Sequence, residues 1–272
     1  MSGSPSHAFV VPAYGRSPFL AECLESLSRQ SLKSEIVVST STPFEGLSQL
    51  AAEYGARLVV HDTDPGRTGI GADWNRAIAS VQTDWVTLAH QDDVYDQAFA
   101  SRTMAAAQDR VTLVFTGYGE IANGRVRRWT SMLLIKRVLV ELAFLGRNSI
   151  SARAAKLRLL RFGCAIPCPS VTLARHAIGR VGFSESLAVN LDWKAWIQLA
   201  ISEGDFAVVR RELMLHRIHR ASETSAAVVS GVRSHEDREM FNLLWPAPLA
   251  ALLSRLYESS YEKGGGDVST VD

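Results

Sequence analysis

Within residues 1–90 the chain alternates between two hydrophobic periods, and that alternation limits the folds open to it. His7–Ala13 (HAFVVPA), Glu35–Thr40 (EIVVST), Ala56–His61 (ARLVVH) and Trp85–His90 (WVTLAH) are short apolar runs that read as strands. Between them the period changes. Ser17-Pro18 reads as an N-cap followed by a first-turn proline. Phe19, Leu20, Cys23, Leu24 and Leu27 then recur at helical spacing. Glu45–Tyr54 reads as a second helix, and Trp74, Ala77, Ile78 and Val81 mark a third. Strands alternating with helices build βαβ units, so the expected class is α/β, with a doubly wound, mostly parallel sheet flanked by helices.

The fourth strand-like run stops at Gln91-Asp92-Asp93. Ligands of open α/β sheets bind at the carboxyl ends of the strands. Two adjacent carboxylates repel each other, and a divalent cation is a common partner for such a pair. A solvated turn is the competing reading, because Asp is a common turn residue.

Farther along, Gln97–Gln108 reads as helix and Val111–Thr116 as strand. Ser151–Arg161 reads as helix, Phe162–Val171 as an irregular loop and Leu173–Val181 as a short helix. Asp192 is placed at the N-cap of an amphipathic helix carrying Trp193, Trp196, Ile197, Ala200 and Ile201, where the helix dipole would lower its pKa. The two tryptophans read as core. Phe206–Leu213 is expected as strand, His216–Thr224 as a polar loop, and Ser234–Trp245 and Pro248–Tyr261 as closing helices. The expected division is a catalytic domain over 1–225, a helical extension over 226–262 and a disordered tail over 263–272, whose Gly/Ser-rich composition buries no core.

The net charge of +1 gives no global field for nucleic acid. Charge is nevertheless uneven: residues 125–161 hold ten Lys/Arg and one acid. Such a block suits an anionic membrane surface, an anionic substrate or a solvated helical face. Three cysteines, Cys23, Cys164 and Cys168, suggest no disulfide framework and a reducing compartment. The segment MSGSPSHAFVV lacks the pattern of a signal peptide, and no run reaches 18 apolar residues. The expected location is cytoplasmic, with peripheral contact to the inner membrane face as an option.

Several chemistries lack their motif. The turn after the first strand is Pro12-Ala13-Tyr14-Gly15-Arg16, without the G-x-G-x-x-G of dinucleotide enzymes. There is no P-loop and no G-x-S-x-G elbow, and Cys164, Cys168 and His176 lack zinc spacing. What remains is a carboxylate pair at a strand end, suited to Mg²⁺ or Mn²⁺ bridging a diphosphate.

At this point the chain resembles family 2 glycosyltransferases of the GT-A fold. The resemblance rests on Val11-Pro12-Ala13-Tyr14, the ADWNRA segment at 72–77, the LAHQDD run, Asn190-Leu191-Asp192-Trp193, and Arg217-Ile218-His219 followed by Ser222 and Thr224. It spans residues 7–225 in order and approximate spacing. It implies a metal-dependent, inverting transfer of a sugar from a nucleoside diphosphate to a glycan or lipid-linked glycan. Pro12, Ala13 and Tyr14 would line the nucleotide, with Asn75 and Arg76 beside it. Asp92 would lie near the ribose or metal, Asp93 would bind Mn²⁺ or Mg²⁺, and Asp192 would be the base. Arg217 and His219 would approach the diphosphate or metal, with His219 as a further metal ligand.

Two departures stand out. The family often carries an Asp after the second strand, where this chain has Val38-Ser39-Thr40-Ser41-Thr42-Pro43. The metal motif is Gln91-Asp92-Asp93, not Asp-x-Asp. A sugar-nucleotide nucleotidyltransferase would need a glycine- and basic-rich first loop, and only Gly15-Arg16 is there. A non-catalytic nucleotide- or glycan-binding module of the same fold is the other alternative.

Overall fold

A computed structural model of the chain describes residues 5–62, 69–219 and 231–264. The alternation of periods becomes β1 (His7–Pro12), α1 (Leu20–Ser28), β2 (Glu35–Thr40), α2 (Leu47–Glu53), β3 (Arg57–Val60), α3 (Ile70–Ala79) and β4 (Trp85–Leu88). β1 pairs in parallel with both β2 and β4, and β2 with β3. The order β3-β2-β1-β4 follows. The chain winds outward from β1 and then returns to its other side. The switch point therefore lies between the carboxyl ends of β1 and β4, where an open sheet leaves a crevice.

β1 is apolar throughout because both of its faces are covered. Ala8 and Val10 join one core with Trp74, Ala77 and Ile78 of α3. Phe9 and Val11 join the other with Leu20, Cys23, Leu24 and Leu27 of α1. Each large apolar side chain buried this way contributes roughly 1.5–3 kcal/mol relative to exposure. α1 itself starts at Leu20, with Phe19 as its N-cap residue. Ser17 Oγ only accepts the Phe19 N–H at 3.2 Å, so the helix begins later than the Ser-Pro pair suggested.

The chain continues through β5 (Val94–Tyr95), α4 (Phe99–Ala106), β6 (Val111–Ala122), β7 (Arg125–Arg127), α5 (Ser131–Phe144), β8 (Ser149–Ile150), α6 (Arg153–Leu160), β9 (Val171–Ala174), α7 (Arg175–Val181), α8 (Leu191–Ile201), β10 (Asp205–Ile218), α9 (Val232–Leu244) and α10 (Ala247–Gly264). The central sheet flanked by helices is as expected. Beyond β4 it is mixed: β9 runs antiparallel to both β4 and β6, and β6 is parallel to β10.

Two elements differ from the sequence reading. The Leu173–Val181 segment divides into β9 and α7, because its apolar start fills the slot between β4 and β6. The segment from His216 is not loop at its start, since β10 runs on to Ile218. Its register shifts between Val209 and Glu212, a bulge opposite Gly117. Gly117 is required there, because a Cβ would stand 2.8 Å from the Arg210 carbonyl oxygen.

α9 and α10 pack back onto α8: the Phe241 ring lies 5.2 Å from Trp193 and 5.6 Å from Tyr257. Of the expected tail, residues 265–272 lie outside the described residues, as do Ser222 and Thr224. Among the described residues no helix is long and apolar enough to cross a membrane.

Gly71, in the first turn of α3, meets the segment leading to α8. A Cβ on it would stand 2.2 Å from the Ser184 carbonyl oxygen and 2.9 Å from the Leu191 side chain. Gly71→Ala should therefore destabilise by about 1–3 kcal/mol in urea titration. Gly179→Ala, in α7 with open space around it, should be stabilising by about 0.5–1 kcal/mol.

Candidate functional site

The switch point gathers the residues singled out in the sequence. Ala13 is held by its N–H to the Ser39 carbonyl at 2.8 Å, and Tyr14 stands 66% exposed at the lip. The Gln91 side-chain amide spans the crevice. Its oxygen accepts the Tyr14 N–H, and its nitrogen donates to the Tyr14 carbonyl, both at 3.3 Å. The ends of β1 and β4 are thus fixed to each other through Gln91.

Asp92 and Asp93 differ in setting. Asp93 is fully buried; its carboxylate accepts the Arg217 N–H at 2.8 Å and faces His216 Nδ1 at 3.0 Å. Asp92 is partly exposed, with His219 Nε2 2.9 Å from its carboxylate. Burial alone would raise the Asp92 pKa. The charge His90 carries when protonated, the hydrogen bond from His219 and the charge of His216 outweigh it and hold the carboxyl below its usual value. Burial opposes charging of His216, but Asp93 and Asp92 overcome this and raise its pKa.

His90, which the sequence reading passed over, completes the group. His90, Asp92 and Asp93 each offer a ligand atom, and these atoms lie within 4.8 Å of one another. The His90 ring is tilted against Trp74 at 5.1 Å, and its Nε2 is buried without a hydrogen-bond partner among the described residues. Burial lowers its pKa, which favours the neutral ring that binds metals. The residues present therefore fit a divalent cation, with one imidazole nitrogen and carboxylate oxygens as donors. His219 was expected as a metal ligand; the structure brings it to the site on the Asp92 carboxylate.

Arg217 was expected to approach the diphosphate or metal, and the structure places it beside Asp92 and Asp93. Its guanidinium bonds Glu22 at 2.5 Å and the Asp92 carbonyl at 2.8 Å, and lies 4.3 Å above the Phe19 ring. It fastens β10 to α1. Asn75, expected beside the nucleotide, is engaged by the protein. Its amide donates to the Phe183 carbonyl at 2.9 Å and accepts the Phe183 N–H at 2.8 Å, so it holds the segment after α7.

Arg76 pairs with Asp73 at 2.9 Å, and Asp73 also accepts from Ser41 at 3.3 Å. α3 thus delivers a carboxylate to the end of β2, where the sequence between Val38 and Pro43 has none. The glycine-rich segment at 64–71, including Arg67, lies largely outside the described residues.

Asp192 is not the N-cap. Asn190 is, and Asp192 follows in the first turn of α8, its carboxylate accepting its neighbour Trp193 N–H at 2.7 Å. The expected lowering of its pKa is reversed. Burial raises it, and the Trp193 N–H and the charges of His90, Arg233 and Lys136 only partly offset this. Asp192 and His90 each sense the other's charge, which puts them in one electrostatic neighbourhood. Cys164 Sγ lies 3.7 Å from the Asp192 carboxylate. Trp193 and Trp196 are fully buried and donate to the Leu160 and Ile166 carbonyls, as core anchors.

Asp192 is positioned by a residue that no local pattern marked. Glu236 of α9 accepts the Ala188, Val189 and Asn190 N–H groups at 2.6, 3.0 and 2.9 Å. Asp237 accepts from the Asn190 side chain at 2.8 Å. A carboxylate on these amides also complements the dipole of α8.

The family model "Glycosyl transferase family 2" matches residues 8–179. The chain belongs to glycosyltransferase family 2. EpsJ of Bacillus subtilis, an uncharacterised glycosyltransferase, is 27% identical over 144 residues, covering 50% of this chain and 41% of that protein. EpsH of the same organism, a glycosyltransferase by its description, is 23% identical over 42% of this chain and 34% of its own length. The chain thus spans less than half the length of these relatives.

Solved structures show the same fold at low identity. S. aureus TarS with UDP-GlcNAc matches at 14% identity with a TM-score of 0.64, over 98% of this chain and 76% of its own. The mannosyltransferase PcManGT of Pyrobaculum calidifontis, with GDP-Man and Mn²⁺, matches at 14% and 0.62, over 96% and 70%. Glucosyl-3-phosphoglycerate synthase of Mycobacterium tuberculosis, with Mn²⁺, UDP-Glc and phosphoglyceric acid, matches at 19% and 0.56, over 87% and 80%.

In this family 2 chain, Glu236→Ala should strand three amides ahead of α8. The expected cost is about 3 kcal/mol in urea titration. Glu236→Gln, which keeps an acceptor oxygen, should lose less than half of that.

Proposed function

We propose that this chain transfers a sugar from a nucleoside diphosphate to a hydroxyl of a glycan or lipid-linked glycan, with inversion and with help from a divalent cation. The observation that carries the reading is the orphaned His90 Nε2 beside Asp92 and Asp93 at the switch point, with a proton-seeking Asp192 in the same electrostatic neighbourhood. The binding of UDP-GlcNAc by TarS, and of GDP-Man with Mn²⁺ by PcManGT, supports the donor class.

His90, Asp92 and Asp93 would hold the cation, with His219 orienting Asp92. Mn²⁺ suits one imidazole and two carboxylates better than Mg²⁺, which favours all-oxygen sites. Bound there, the cation would neutralise the charge that develops on the diphosphate as it leaves. The protein's own part is positioning and proton transfer. Tyr14, exposed above Ala13 and Pro12, would cover the base and ribose. Asp73, held by Ser41 and Arg76, would face the nucleotide from the end of β2. Asp192 would take the acceptor hydroxyl's proton while the new bond to the anomeric carbon forms and the bond to the diphosphate breaks. A raised pKa makes it the stronger base.

This reading places the chain in the cytoplasm, where nucleotide sugars are used, with its basic segment toward a membrane surface.

Nucleoside diphosphates and sugar nucleotides should raise the melting temperature with Mn²⁺ and much less without it, the gain growing with the logarithm of ligand excess. His90→Ala and Asp92→Ala should remove the Mn²⁺-dependent part; equal shifts with and without metal would defeat the metal assignment. Asp192→Asn should keep donor binding and lose about 10²–10⁴-fold in kcat. Activity should fall with acid as Asp192 protonates, and the raised pKa puts that limb above the ordinary carboxylate range. An acid limb at the ordinary value would reassign the base.

A further inference from the structure

α5 is amphipathic in the reverse sense. Its cations turn to the protein: Lys136 donates to the Tyr118 hydroxyl at 2.9 Å and Arg137 pairs with Glu212 at 2.5 Å, while Glu141, half-exposed beside the apolar arc, is paired with Arg210 at 2.6 Å. Its aliphatic side chains turn to solvent. Leu134, Ile135, Val138, Leu142 and the C-cap residue Leu145 are 49% to 68% exposed. At 100° per residue, positions 134, 135, 138 and 142 fall within an arc of about 100°. No charged residue interrupts that arc. Trp129, just ahead of the helix, is 80% exposed.

Exposed positive charge brackets this face. Arg125 precedes it, and Arg147 and Arg153 follow it; none pairs with a carboxylate among the described residues. The acids beside the helix are already engaged, Glu141 by Arg210 and Glu212 by Arg128 and Arg137. A second copy meeting this face through a two-fold axis would set arginines against arginines. An anionic lipid surface meets both features at once, since aliphatic side chains sink into the headgroup boundary while arginines stay with phosphates. An exposed Trp at one end fits the same setting.

We propose that α5 is an interfacial helix by which the protein lies on an anionic bilayer. This deepens the acceptor reading, because it would bring the crevice to a lipid-borne acceptor. Vesicle binding is measured without donor or acceptor, so either idea can fail alone.

The test is flotation of the full chain with phosphatidylcholine vesicles, with and without phosphatidylglycerol. Binding should need the anionic lipid and weaken with salt. The joint change of Arg125→Gln and Arg147→Gln should lower partitioning about 30-fold, at roughly 1 kcal/mol per arginine. The triple change of Leu134, Val138 and Leu142 to Ser should abolish it. Both variants should keep the wild-type melting temperature, which separates lost binding from lost folding. Absent binding by the wild type, or undiminished binding by the triple variant, would overturn the proposal. So would a wild-type dimer that the triple variant dissociates.

Discussion

The carboxylate of Asp93 has no contact with solvent, and a buried charge must find its partners within the protein. It finds them in the Arg217 backbone N–H and the His216 ring, at the far end of β10. Removing one side of such an arrangement typically costs about 3–5 kcal/mol, because the remaining charge stays buried and uncompensated. The late strand is therefore tied to the end of β4 by the charge itself. With it come Arg217 onto Glu22 and Phe19, and His219 onto Asp92. Three parts of the chain far apart in sequence meet because one carboxylate cannot be left alone.

The same device recurs on the other wall of the crevice. Glu236 is buried and collects three backbone amides immediately ahead of α8. Segments before helices carry N–H groups with no internal partner, and a carboxylate satisfies them while complementing the helix dipole. α9 thereby reaches into the crevice region and sets where Asp192 stands. Gly71 fits beneath the same segment, since only a residue without a Cβ lets α3 approach the Ser184 carbonyl. Asp192 is held by contacts from both directions along the chain.

Local patterns were enough for the first half of the fold. β1 to β4 follow from short apolar runs, and the doubly covered β1 accounts for a run without polar interruptions. Asp92 and Asp93 follow the fourth run directly, so their place at the carboxyl edge of the sheet is legible from local pattern alone. That legibility stops where partnerships are long-range. His216 looked like loop because its segment is polar, yet β5 and β6 recruit it into β10. The contacts of Arg217 with Glu22 and of Asn75 with Phe183 carry no local signal either, because the partners lie far away in sequence. His90 was hidden as the last residue of a strand-like run. Glu236 carried no signal, because its partners are backbone amides far away in sequence.

Two aspartates in one crevice are pushed in opposite directions. Burial acts on both, and would raise both pKa values. Around Asp92 three histidines reverse the effect, so it stays charged down to low pH and suits a cation or a phosphate-bound metal. Around Asp192 the offset comes from a single neighbouring N–H and from charges that do not pair with it, so the raised value survives. When two titratable groups in a site are driven apart like this, the environment has divided the work between them. On the proposed function, the residue held charged would be the binding group, and the one that keeps its affinity for protons would be the base. Asp92, Asp93 and Asp192 are one chemical type, and their surroundings alone make Asp93 fully buried, hold Asp92 charged and leave Asp192 with a raised affinity for protons.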